Sequence, residues 1–297
     1  MRCLIVGADG SFGGPSSLAL GRLGHEVIAT TRRRDRAKSD CLFLDLGEPL
    51  PDLPKVDVAV ICAAMARFEE CRCAPELAYQ VNVAAPLGLS RSLTQTGARV
   101  ILLSTSAVFG GRTPYARESD GPMPRNAYGR FKAEAEARLL DLGSAVSVLR
   151  LTKVLKPGSG LLSQWIARLG EGERVRAFDD HRFCPLQVAD VIDAIIAMIE
   201  SKEGGIFHVS GGADVSYFDA ARFLAGRVGV AEDRVEAVHA VENGLDEGEL
   251  SSFSSLATER LSQLTGFVPP EPFDVLQQVY AREIDAARNL LVHEGRL

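Results

Sequence analysis

Short, continuously apolar runs alternate with longer amphipathic ones through the first half of the chain. Residues 2–6 read as a buried strand and 13–23 as a helix, with further strands over 25–30, 41–46, 56–62, 99–104 and 145–151. Helix-sized stretches, notably 75–95 and 126–142, fall between them. Continuous apolar strands separated by helices predict a parallel sheet covered on both faces.

The second half is less regular. Residues 158–169 predict a helix. Residues 188–200 predict a firmer one, because Val188, Val191, Ile192, Ile195, Ile196 and Ile199 share one face. A strand over 206–210, a helix over 215–228 and a final helix over 273–291, entered through the Pro269-Pro270 break, complete the pattern. Residues 242–254 are acidic and Ser-rich with few apolar anchors, and predict a mobile loop or insertion.

Composition narrows the class. The 297 residues carry 33 Lys+Arg against 39 Asp+Glu, a net charge of −6, with 46% apolar residues. Those values exclude disorder and fibrous repeats. A mildly acidic balance argues against a nucleic-acid partner but not against a small phosphate-bearing ligand. The longest uncharged apolar run, 58–66, is far short of the roughly 18 residues a membrane span needs. Of six cysteines only Cys71 and Cys73 are close, with no matching His or Cys pair nearby, so no metal site is expected. Reduced thiols and no targeting segment predict a cytoplasmic protein.

Gly7-Ala8-Asp9-Gly10-Ser11-Phe12-Gly13 follows the first strand directly and opens the first helix. Glycines there permit a tight turn and close approach of a diphosphate, and the helix N-terminus supplies N–H donors and a positive dipole. The expected architecture is therefore α/β: a Rossmann-type doubly wound parallel sheet with a smaller C-terminal substrate-binding lobe. Residues 1–152, plus about 179–210, would bind the dinucleotide; 153–178 and 211–297 would form the lobe. After the second strand come Thr31-Arg32-Arg33-Arg34, with no carboxylate until Asp35. A guanidinium fork suits a 2′-phosphate, so NADP is expected, with NAD as the alternative. Asp45 is placed to accept from the adenine amino group.

Tyr128 and Lys132 stand at i and i+4 on a predicted helix, which puts both on one face. A nearby ammonium should favour the phenolate and bring a Tyr toward the range useful for proton transfer.

These stretches together resemble the extended short-chain dehydrogenase/reductase superfamily over roughly residues 1–270. The resemblance is carried by the glycine turn, Asp45-Leu46, Ile61-Cys62-Ala63-Ala64, Val81-Asn82, the run from Leu103 to Gly110, and Tyr128 with Lys132. Phe178-Asp179-Asp180-His181-Arg182-Phe183, Val188-Ala189-Asp190-Val191, the Pro114-Tyr115 segment and the run from Gly205 to Ser210 resemble its dTDP-4-dehydrorhamnose reductase branch. The resemblance implies a nucleotide-sugar substrate and a catalytic set of Thr105, Tyr128 and Lys132, with the lysine also holding the nicotinamide ribose. It implies cofactor contacts from Gly7, Asp9, Gly10, Ser11, Phe12, Gly13, Thr31, Arg32, Arg33, Asp45, Leu46, Cys62, Ala63, Ala64 and Asn82. Met65, Thr105 and Ser106 would meet the substrate. Lys153 and Arg182 are candidates for its diphosphate, and Trp165 either stacks on its base or fills the lobe.

Departures keep alternatives open. Ser106-Ala107 after Thr105 is closer to nucleotide-sugar epimerases, which would hold NAD tightly, and the Asp-Glu of 4,6-dehydratases is absent. Cys62 stands where the family often has Asn. A non-catalytic NADP-binding regulatory subunit is the reading from another class. Members of the superfamily this chain resembles often form homodimers through a two-helix face, which 75–95 and 126–142 could supply. His25, His208, His239 and His293 read as structural, and His181 has no evident partner.

Overall fold

The computed structural model describes residues 1–38 and 40–293. Six strands enter in order: β1 (Arg2–Val6), β2 (Glu26–Thr31), β3 (Cys41–Phe43), β4 (Val58–Ile61), β5 (Arg99–Thr105) and β6 (Val146–Leu151). A seventh, Gly205–Val209, pairs with β6. All seven run parallel in the order Gly205–Val209, β6, β5, β4, β1, β2, β3. The order reverses beside β1, so the C-terminal ends of β1 and β4 diverge into a crevice, where ligands of open α/β sheets bind.

Helices α1 (Gly13–Arg22), α2 (Phe68–Cys73), α3 (Pro75–Tyr79), α4 (Ala85–Gln95) and α5 (Ala127–Leu140) connect the first six strands. The expected helix 75–95 is a continuous rod with a π-turn, Gln80–Ala84, between α3 and α4. One core lies between the sheet and α4–α5, with Leu4, Leu89, Leu102 and Leu139. A second lies on the other face beneath the helix Val188–Ser201. β4 is buried at every position, which explains its unbroken apolar sequence.

A third core, separate in its residues, unites Gly160–Gly170, Tyr217–Val228 and Pro272–His293. Beside it the strands Val175–Phe178 and Val235–Val238 pair in parallel, an element the sequence does not predict. Short pairings tie this region to the sheet: Lys153–Val154 lies along Pro185–Leu186, and Arg182–Phe183 along Val215–Ser216. No helix of the described residues is long and apolar enough to cross a membrane.

Candidate active site

β1 delivers the chain into the glycine turn. Gly7 adopts φ +88°, and a Cβ there would sit 2.9 Å from the Ala63 Cβ. Gly13 opens α1 so close to the turn that any Cβ would overlap the Gly7 carbonyl oxygen. α1 starts with no side-chain cap and no acid in its first turn. Its leading N–H groups and positive dipole end therefore face the turn with no side-chain cap among the described residues, as a diphosphate requires. The residues present fit a dinucleotide.

At the end of β2, the Thr31 hydroxyl donates to Asp9 Oδ2 at 2.5 Å and accepts the Arg33 amide at 3.0 Å. That bond, with Arg36 3.2 Å from Asp9 Oδ1, holds the Asp9 carboxyl below its ordinary range. The Thr31 hydroxyl is thus committed to the protein itself. Arg34 lies 4.0 Å over the Phe43 ring and pairs with Glu48 at 2.6 Å. Arg32 and Arg33 are exposed, and among the described residues their side chains have no hydrogen-bond or ion-pair partner.

The far side of the crevice is built by backbone. The amides of Cys62 and Ala63 both donate to the Val6 carbonyl, at 3.0 and 3.1 Å. Burial pushes the Cys62 thiol up to about 12. Asn82 is not a surface contact: it is 1% exposed, and its amide accepts from Met65 N–H and donates to Met65 O, both at 3.0 Å. It fixes the Cys62–Ala63–Ala64–Met65 loop from below. Asp45 Oδ1 accepts the Gly47 amide at 2.9 Å, and Leu46 is buried, with its carbonyl accepting from Gln80.

Asn126 caps α5 by accepting the Gly129 amide at 2.8 Å, which sets the first turn carrying Tyr128 and Lys132. Lys132 is 1% exposed and donates from Nζ to the Leu103 carbonyl at 2.6 Å. Burial draws its pKa down to about 8, against the opposing pull of Glu136. Burial raises the Tyr128 phenol well above its ordinary value, and the charges of Cys71 and Glu136 add to the rise. The expected lowering by the ammonium is therefore corrected. Desolvation dominates the phenol, and Lys132 Nζ is turned to the Leu103 carbonyl. Thr105 Oγ1, at the end of β5, accepts the Ala107 amide at 3.1 Å, leaving its own hydrogen to donate.

Thr105, Ser106 and Tyr128 line one wall of a cavity of ≈ 590 Å³, with Lys153 and Arg182 on another. Phe68 closes the end beside Tyr128, ring centroids 5.8 Å apart. His181 also lines the cavity, and it does have partners. Nδ1 accepts the Ser251 amide at 3.0 Å, and the ring stacks on Tyr217 at 5.0 Å. Burial, with Lys153 adding to it, lowers His181 to about 4, so the ring is neutral at pH 7. The Lys153 ammonium sits 5.5 Å from the Tyr217 ring centroid and 5.9 Å from that of Phe183.

Of the two roles open to Trp165 the structure shows the core one, and the expectation for 242–254 is corrected. Trp165 is 3% exposed in the third core, edge-on to Tyr217 at 6.1 Å, and does not line the cavity; it braces a wall residue from behind. The 242–254 segment is no free insertion. Leu245, Gly248, Glu249, Leu250, Ser251, Phe253 and Ser254 form a wall of the cavity. Hydrogen bonds hold it: Arg182 N–H to Ser251 O at 2.7 Å and Phe253 N–H to Gly111 O at 3.1 Å between main chains, and Ser254 N–H to the Asp214 carboxylate at 2.6 Å. Such anchors leave no apolar signature in the sequence. Likewise invisible were Phe68, Tyr217 and the buried group of Glu136, Arg150 and His208 behind Lys132. Asp179, Asp180 and His239 form the one three-residue cluster of metal-type ligands among the described residues, with His239 3.2 Å from Asp179.

A family model described as RmlD substrate binding domain matches residues 1–284. The dTDP-4-dehydrorhamnose reductase of Mycobacterium tuberculosis is 28% identical over 281 residues, covering 90% of this chain and 88% of that one. Among solved structures, a dTDP-4-dehydrorhamnose reductase from Clostridium acetobutylicum matches with a TM-score of 0.80 at 24% identity, over 95% of this chain and 99% of that one. A second, from Bacillus anthracis and in complex with NADP, matches at 0.77 and 20% identity, over 95% and 99%.

Proposed function

The chain belongs to the RmlD substrate binding domain family, and from that premise we propose that it is an oxidoreductase reducing a 4-keto nucleotide-sugar with NADPH. The observation that carries this reading is the opening of Thr105 and Tyr128 into one cavity, with Lys132 a turn along the same helix face. The names of the reductase relatives support the reaction class, and the NADP complex of the Bacillus anthracis protein supports the cofactor. The glycine turn and α1 would hold the diphosphate, Arg32 and Arg33 the 2′-phosphate. NAD remains the alternative dinucleotide. Residues 1–152 with about 179–210 form the cofactor domain in this reading. Residues 153–178 and 211–297 form the substrate lobe, whose last four lie outside the described residues.

When bound, NADPH supplies hydride to the carbonyl carbon. The residues of the chain handle the oxygen. Thr105 donates its free hydroxyl hydrogen to the ketone oxygen. Tyr128 transfers its proton to that oxygen as negative charge develops there. The raised phenol pKa keeps Tyr128 protonated at neutral pH, and an alkoxide is a much stronger base than a phenolate, so transfer runs downhill. Lys132 keeps two N–H donors beyond its Leu103 bond for ribose hydroxyls beside the Tyr. Lys153 and Arg182, which line the same cavity, would meet the substrate diphosphate.

The test is loss of reduced-nicotinamide absorbance over a panel of dTDP-, UDP- and GDP-linked 4-keto sugars. Turnover with one of them is the expected result. Sugar interconversion without cofactor consumption would mark an epimerase. NADP binding with neither reaction, and a co-purifying enzyme, would mark a regulatory subunit. A homodimer through the Pro75 to Gln95 rod and α5 belongs to the same reading and is tested by light scattering.

A further inference from the structure

Lys156 lies in the crossover 152–159 leading into the substrate side, yet its Nζ donates to Ser11 Oγ in the glycine turn at 2.7 Å, across 145 positions of sequence. Its point of departure is fixed. The Lys153 amide bonds Cys184 O at 3.1 Å and the Leu155 amide bonds Leu186 O at 2.8 Å. Leu155 is buried, and Glu283 accepts the Gly158 amide at 2.7 Å. The side chain is exposed, and among the described residues no carboxylate lies within ion-pair distance of it.

This is an adverse place for a lone ammonium. Ser11 stands two residues before α1, at the positive end of the helix, and the first turn holds no acid and no cap. Cations are stabilised at helix C-termini, not here. Two positive elements converge here; Asp9 of the same turn is already engaged by Thr31 and Arg36, no carboxylate among the described residues pairs with the ammonium, and a bound anion would satisfy both.

We propose that Lys156 is a ligand of the cofactor diphosphate, so that the bound dinucleotide ties the substrate side of the molecule to the glycine turn. This rests on the dinucleotide reading above. The ammonium has three donors, so it can keep Ser11 while bonding a diphosphate oxygen. The diphosphate is common to NADP and NAD, whereas Arg32 and Arg33 would meet only the 2′-phosphate. The two contributions therefore separate experimentally.

The experiment is calorimetric titration of NADP and of NAD into the wild type, Lys156→Met, Lys156→Arg and the double variant Arg32→Ala/Arg33→Ala. Lys156→Met should raise both dissociation constants by about tenfold, the loss of one charge-assisted bond, with the NADP-to-NAD ratio unchanged. Lys156→Arg should recover most of the affinity. The arginine double variant should instead change the ratio. Ligand-free Lys156→Met should unfold at the wild-type midpoint. If Lys156→Met binds both dinucleotides within twofold of wild type, or weakens NADP alone, the assignment is overturned. A wild type that binds neither dinucleotide overturns the cofactor reading itself, a separate and recognisable result.

Discussion

Arg150 on β6 grips Glu136 on α5, with Nη2 2.7 Å and Nε 3.0 Å from Glu136 Oε2, one helical turn beyond Lys132. Tyr128, Lys132 and Glu136 thus fall at i, i+4 and i+8 on one face of α5. Both partners of the pair are 3% exposed, and the Ser104 hydroxyl also donates to the carboxylate. Removing one partner of a buried pair strands the other charge, at a cost of about 3–5 kcal/mol, whereas replacing both by apolar groups is often close to neutral. Glu136→Gln should therefore destabilise by about that amount, and Glu136→Leu with Arg150→Met should cost less than Arg150→Met alone. Urea unfolding decides it. Additive losses in the double variant would show that the pair does not act as a unit.

Tyr128→Phe removes the proposed proton donor and keeps the ring against Phe68. kcat should fall by about 10²- to 10⁴-fold with NADP affinity within a factor of about two. Stopped-flow turnover and a binding titration check the two halves. Full turnover in the variant would remove Tyr128 from the mechanism.

Gly129 is where α5 meets the turn after Thr105: a Cβ there would lie 2.5 Å from the Ala107 carbonyl oxygen and 3.0 Å from Pro124. Gly129→Ala should push Tyr128 away from Thr105 and lower kcat at least about tenfold, since small displacements of aligned groups are costly. Gly21, in α1, has nothing within 4 Å of its Cβ position. Gly21→Ala should leave kcat unchanged and stabilise by about 0.5–1 kcal/mol. Equal activity in the two variants would contradict the packing argument.

His208 is fully buried, with Nδ1 3.0 Å from the Ala257 carbonyl and Nε2 3.3 Å from Arg150 Nη1. The carbonyl can only accept and the guanidinium can only donate, so the ring is held neutral. Burial first, and Arg150 second, lower its pKa from 6.5 to about 3. The unfolded chain therefore binds an extra proton between those values. The stability His208 contributes is present above pH 6.5 and is lost as pH falls toward 3, by up to about 1.4 kcal/mol per unit. His181 acts in the same direction between 6.5 and about 4. Unfolding free energies at pH 7, 6 and 5 should fall, and His208→Gln should show a shallower slope. An unchanged slope would rule the histidine out as a source of acid sensitivity.

Much of the sheet was legible because its strands are buried on both faces. The run 2–6 could only be β1, and the turn at Gly7 announced itself by residues that no other side chain could replace. Helix α5 was legible as a candidate site element because Tyr128 and Lys132 are spaced by one turn. What escaped has a common physical cause. The wall at 245–254 is held by hydrogen bonds of its backbone to Arg182, Gly111, His181 and the Asp214 carboxylate, which apolar periodicity does not encode. Trp165 and Tyr217 differ in role only because one lies behind the other, an order that periodicity along separate helices cannot reveal. The parallel pair Val175–Phe178 and Val235–Val238 joins strands separated in sequence by the helices Val188–Ser201 and Tyr217–Val228, and each is only four residues long with one charged residue, Arg176 or Glu236. Lys132 was expected to tune Tyr128, and only the three-dimensional surroundings expose that solvent exclusion governs both groups.

Because Ser251, Phe253 and Ser254 are anchored through amides and carbonyls, neighbouring Glu249 and Leu250 can be exchanged without detaching that rim from the molecule. In the proposed reaction, substrate preference could then drift by replacement at a few positions there, while α5 with Tyr128 and Lys132 stays untouched.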